Sequence, residues 1–220
     1  MLSLAEELLL LALDDETGKL AGSGSRLDCA LAGAVLCDLV LCERVAIVGD
    51  RVALRADGLT GEPANDRVLV AIARREKPRA PEDWVRRLAR DVRKDVIERL
   101  QERGLVRAER RRILGVLPAA RYPESDPGAE DAARARIRSV LVDGADAEPR
   151  TAALIAIALA AGIGRTLVAD RPWKEIEPRA RAIAAGDWAG AAVGRAIASV
   201  KAAVAAATVA ATSAASVAGS

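Results

Sequence analysis

The chain has 220 residues, 51% of them hydrophobic, which is enough for a substantial core and excludes a disordered chain. It contains no histidine, so Ser-His-Asp and Cys-His catalysis and every histidine-ligated metal site are excluded. The net charge of +2 by itself names no partner, and three cysteines without a CxxC spacing indicate neither a disulfide framework nor a zinc site.

The core must be aliphatic, because there is no Phe, one Tyr, three Trp and one Met. Cys29, Cys37 and Cys42 are expected as buried thiols in a reducing compartment. At the N-terminus, Glu6 and Glu7 stand where a secretory leader would be basic. Ser3 with Glu6 three residues on is a capping-box pattern, and it opens a helix over 4–13. The run Leu8–Leu11 is apolar on every side, so this helix is expected to be buried. Asp14, Asp15 and Gly18 end it, and residues 21–25 read as a loop.

A second helix is predicted over 27–41. Residues 45–48 and 51–54 flank Gly49-Asp50, a hairpin turn. A third helix covers 65–74, and Pro78 and Pro81 break the chain after it. A longer helix, or a bent pair, spans 82–103, with Val85, Leu88, Val92, Val96 and Leu100 at the helical period and Gly104 as its stop. Strands at 105–107 and 113–116 would be joined through Ala108–Arg112, and 118–127 reads as a loop. Helices are predicted at 129–141, 151–161, 174–185 and from Trp188 to about Ala211. The uncharged stretch Thr151–Gly164 is too short to span a bilayer. The expected fold is mainly α: a single globular helical domain over 1–201 with small β-hairpins, then an Ala-rich helix end or frayed tail over 202–220.

Charge is unevenly placed. Residues 73–112 hold 15 Lys/Arg and 8 Asp/Glu, a net of +7, leaving −5 elsewhere. Such a segment suits an anionic surface or, alternatively, a solvated helix face. Within it Arg86, Arg90 and Arg93 stand at i, i+4 and i+7, with Arg87 and Lys94 beside them. Arginine forks match phosphate oxygens, and crowded guanidiniums repel one another until an anion neutralises them. These five residues are the candidate lipid-headgroup or anion site; the competing reading has Asp91, Asp95 and Glu98 satisfying the cations within the helix. Arg110-Arg111-Arg112 is expected at an exposed tip, meeting an anionic partner or guarding a strand edge. No GxGxxG follows a strand, no P-loop appears and HExxH is impossible, so no enzyme, cofactor or metal is indicated.

The stretch Leu2–Leu13 with Asp15 and Gly18 resembles the opening helix of the Golgi phosphoprotein 3 family. Leu31, Gly33, Leu36, Asp38 and Leu39 are similar to its second helix. Arg90-Asp91-Val92-Arg93, followed by Ile97, Leu100 and Gly104-Leu105-Val106, is similar to its arginine helix and the hairpin after it. Arg121-Tyr122-Pro123, Arg150-Thr151 and Gly186-Asp187-Trp188 resemble bacterial branches. The resemblance implies a mainly helical domain that binds phosphatidylinositol 4-phosphate at the membrane, with an adaptor role in eukaryotes. Two headgroup arginines map onto Arg90 and Arg93, whereas the family's Trp position falls near Ser23 and its helix-two Arg position on Ala32. The expectation is a cytoplasmic, non-catalytic protein, peripheral on the inner face of the membrane, that binds an anionic lipid and protein clients. The hairpin at 105–116 is a candidate surface for self-association. Two rival readings are a winged-helix-like nucleic-acid binder, from the helix-then-hairpin order over 86–116, and a scaffold for an acidic protein tail.

Overall fold

The computed structural model describes residues 1–13, 20, 24–74, 77–107, 109–113, 117–121, 128–185 and 191–218. In it Ser3 caps helix α1 (Leu4–Leu11) with the box its sequence announces. Glu6 N–H donates to Ser3 Oγ at 3.2 Å, and Ser3 N–H donates to Glu6 Oε2 at 2.7 Å. All eight residues of α1 are buried, Glu6 and Glu7 included. An apolar run without a polar face leaves no side for water, so the helix must lie inside.

Helix α2 (Gly24–Leu41) is the axis of the molecule, with Leu27, Leu31, Leu36 and Leu39 fully enclosed. It begins at Gly24, inside the segment expected as loop; residues 21–23 lie outside the described residues. Strands β1 (Val45–Val48) and β2 (Arg51–Leu54) pair antiparallel, Val45 opposite Leu54 and Val48 opposite Arg51. Gly49 and Asp50, at φ 53° and 59°, make the two-residue turn whose twist suits a hairpin.

Helix α3 (Pro63–Ala73) starts on a proline, whose missing N–H costs nothing in a first turn. The stretch 82–103 is realised as the bent pair: α4 (Pro81–Leu88) and α5 (Val92–Glu102), divided at 89–91. The break lets each half bury its own stripe. Trp84 and Val85 of α4 pack toward α2 and the C-terminal helix, while Val92, Val96 and Leu100 of α5 pack toward α1 and α2.

One expectation is corrected. The second hairpin is not 105–107 with 113–116 but β3 (Glu109–Ile113) with β4 (Leu117–Arg121), Arg111 opposite Ala119. Arg110, Arg111 and Arg112 therefore lie along a strand and not at a turn; 114–116, the connection, and 122–127 lie outside the described residues. Both strands of a two-stranded ribbon are edges, where a charged run and Pro118 are tolerated. Then come α6 (Gly128–Leu141), α7 (Pro149–Ala160), a 3-10 turn at Gly164–Thr166, α8 (Trp173–Ala185) and α9 (Ala191–Ala218).

The α9 helix crosses position 202 without interruption and buries Ala203, Val204 and Ala207. It presses on α2 at Gly33, where a Cβ would stand 2.3 Å from Val204 Cγ2 and 3.3 Å from Ile157 Cδ1. One continuous apolar cluster joins α1, α2 and the α4–α9 helices, so the chain is a mainly α single domain. Among the described residues no helix is long and apolar enough to cross a membrane.

Candidate functional site

The buried acids are structural. Arg150 bridges Asp38 at 3.2 Å and Glu7 at 3.4 Å, and its Nη2 donates to the Leu2 carbonyl at 2.6 Å. Asp38 Oδ2 also accepts the Leu4 N–H at 2.7 Å. Arg136 reaches Glu7 at 2.9 Å, and Arg103 lies 3.1 Å from Glu6. These pairs fix the N-terminal helix against α2, α5, α6 and α7. Burial pushes the Asp38 carboxyl up to about 6, although Arg150 and the Leu4 N–H pull the other way. Three cations consumed by buried acids cannot serve a ligand, which leaves the surface cations as candidates.

The predicted site residues are distributed over both halves of the bent pair. Arg86 and Arg87 stand on α4, Arg90 on the turn between the halves, and Arg93 and Lys94 on α5. The division at 89–91 removes the single i, i+4, i+7 face that a continuous helix would have given Arg86, Arg90 and Arg93.

Their engagements differ. Arg86 Nη2 donates to Glu82 at 2.8 Å, one turn back on its own helix. Lys94 sits 3.7 Å from Glu98, also one turn away. Both pairs are exposed and therefore weak. Arg93 reaches across to the first turn of α2: its Nε lies 2.7 Å from Asp28 Oδ1, and its Nη2 donates to the Gly24 carbonyl. Burial raises the Asp28 carboxyl above its ordinary value, and the Arg93 charge beside it works against that rise. Arg87 and Arg90 are exposed, and neither has an ion pair or side-chain hydrogen bond among the described residues. Asp91 and Asp95, expected as intrahelical partners, behave otherwise. Asp91 takes no arginine among the described residues, and Asp95 pairs with Arg67 of α3.

Arg87 and Arg90 form the rim of a cleft of about 280 Å3 between α3 and the bent pair. Val35, Val68 and Val92 give it an apolar floor, and Arg67, Asp91 and Asp95 also line it. Arg93 does not line it. Ala32 is fully enclosed in the core and presents nothing to solvent. Ser23, the other position of interest, lies outside the described residues.

Sequence reasoning missed a larger basic group. Arg51, Arg67, Arg74, Lys77 and Arg79 join Arg87 around a second concavity. They come from β2, α3, the α3–α4 connection and α4, so no window of sequence shows them together. The signal within reach was the excess of Lys/Arg after Ala73, which places four of the six. Among the described residues no group of acids and cysteines has the arrangement of a metal site.

Comparison with known proteins places the sequence in a family. A model of the Golgi phosphoprotein 3 (GPP34) family matches residues 4–200. The chain is 27% identical over 165 residues to vacuolar protein sorting-associated protein 74 of Eremothecium gossypii, an alignment covering 64% of this chain and 49% of that protein. The chain thus spans about half the length of the curated relative it matches.

Proposed function

This chain belongs to the Golgi phosphoprotein 3 family, and from that premise we propose that it is a non-catalytic adaptor docking peripherally on anionic membranes through a phosphorylated lipid headgroup. The observation that carries the reading is the pair Arg87 and Arg90, exposed, without ion-pair partners among the described residues, and set on the rim of one cleft. Such guanidiniums offer forked donors to phosphoryl oxygens. Arg86 and Lys94 hold only exposed pairs that an anionic surface displaces at little cost, and each adds about 1 kcal/mol of attraction near that surface.

Arg93 enters on different terms. A headgroup recruits it only by competing with Asp28 for its guanidinium, so Asp28 acts as an internal stand-in for the anion. The favoured headgroup is a phosphomonoester of the phosphatidylinositol 4-phosphate kind, because its two negative charges outbid one carboxylate. The protein would work in the cytoplasm, peripheral on the inner face of the membrane, leaving its other faces to protein clients.

Flotation with phosphatidylcholine vesicles containing phosphatidylinositol 4-phosphate tests this. Binding should fall at least tenfold in Arg90→Ala/Arg93→Ala, since each guanidinium–phosphate contact contributes about 1.5–3 kcal/mol. Unchanged binding in that variant refutes the site.

A further inference from the structure

The larger basic concavity goes beyond the headgroup site. It is a broad, solvent-open concavity of about 990 Å3, near the upper end of small-ligand sites at roughly 300–1,000 Å3. Six cations line it: Arg51, Arg67, Arg74, Lys77, Arg79 and Arg87. Asp83 is the one carboxylate among its lining residues. Arg67 is neutralised by Asp95, and among the described residues the Arg51 side chain reaches only the Pro78 carbonyl, at 3.4 Å. Arg74, Lys77, Arg79 and Arg87 have no side-chain partner among the described residues.

The cations are held together by the fold. Val52 N–H donates to the Arg79 carbonyl at 2.8 Å, which staples the α3–α4 connection to β2. The segment carrying Lys77 and Arg79 is thus fixed opposite Arg51, while Arg74 approaches from the end of α3 and Arg87 from α4. Like charges gathered in one concavity raise its potential, and the surrounding low-dielectric wall focuses that field. A monovalent ion relieves little of it. An anion with several oxygens on two phosphorus centres can engage guanidiniums from opposite walls at once. Val70 and Ala71 on α3 supply an apolar wall for the carbon portion of such a ligand.

We propose that this concavity is a second anion site, specific for a ligand with two or more phosphoryl groups, either a soluble pyrophosphate-type ester or a multiply phosphorylated headgroup. Its determinants Arg51, Arg74, Lys77 and Arg79 lie outside the headgroup site, and Arg67 and Arg87 line both concavities.

The test is calorimetric titration of the full chain with inorganic pyrophosphate and with orthophosphate at low ionic strength, alongside flotation on phosphatidylcholine vesicles with and without phosphatidylinositol 4,5-bisphosphate. Arg74→Ala/Arg79→Ala should weaken pyrophosphate at least tenfold, and Arg74→Lys/Arg79→Lys should restore most of the loss, which separates charge from misfolding. Arg90→Ala/Arg93→Ala should bind pyrophosphate as the parent does. If the Ala pair also loses the bisphosphate vesicles, the ligand is a headgroup; if vesicle binding is unaffected, it is soluble. No pyrophosphate binding by the parent, equal affinity for orthophosphate, or full pyrophosphate affinity in Arg74→Ala/Arg79→Ala overturns the proposal. Loss of headgroup binding in Arg90→Ala/Arg93→Ala is read separately, so either site can fail without the other.

Discussion

Replacing Gly33 by alanine tests the central packing contact. The added methyl would begin 2.3 Å from Val204 Cγ2, with Ile157 Cδ1 at 3.3 Å and Val200 Cγ1 at 3.5 Å behind it. Val204 is fully buried and cannot swing into solvent, so α9 must retreat by about 1 Å or Val204 must leave its rotamer. Overpacking of this kind costs about 1–3 kcal/mol, and a contact this short belongs at the upper end. Against it stands the helix preference of alanine over glycine, about 1 kcal/mol. The net is a loss of about 2 kcal/mol. For a chain of this length that lowers the melting temperature by roughly 4–8 °C, read by circular dichroism. Val204→Ala removes the clashing methyl, so it should cost less in the Gly33→Ala background than in the parent, by about 1 kcal/mol or more. A Gly33→Ala protein as stable as the parent would refute the reasoning.

Three further outcomes follow from the electrostatics. Asp28→Asn frees Arg93 and removes a competing negative charge, so binding to anionic vesicles should strengthen several-fold; weaker binding in flotation would contradict the competition. Arg150→Ala strands the buried Asp38 carboxylate and leaves Glu7 to Arg136 alone, and should cost about 3–5 kcal/mol in urea unfolding. Asp38 titrates at about 6 when folded, against 3.8 ordinarily, so the fold holds its proton more tightly than the unfolded chain. Its contribution to stability is full below about pH 3.8 and is lost as pH rises through about 6, by about 3 kcal/mol. The stability difference between the parent and Asp38→Asn should shift in that direction between pH 4 and 7; a flat difference contradicts the assignment.

The elements show unevenly how much could be read in advance. The capping box, the buried first helix and the first hairpin with its turn were legible because each is set within a few residues: a side chain reaching its own backbone, or two residues in the left-handed region. The division of 82–103 was legible only as an alternative, because Val85, Leu88, Val92 and Val96 keep the helical period on either side of the bend. Which halves pack on which partners decides it. The second hairpin was misplaced because three consecutive arginines read as a tip, and Pro118 read as a break. In an isolated ribbon neither rule is strict.

Membership of the family and the mainly α character were carried by the sequence alone, because apolar periodicity, caps and turn residues act over short range and their order along the chain is itself a pattern. The state of each arginine was not. Arg93 meets Asp28, Arg67 meets Asp95, and Arg51 joins Arg74, Lys77 and Arg79, all across elements distant in the chain. Charge is visible in a sequence, but whether it is neutralised depends on distances of a few ångströms that only tertiary packing sets.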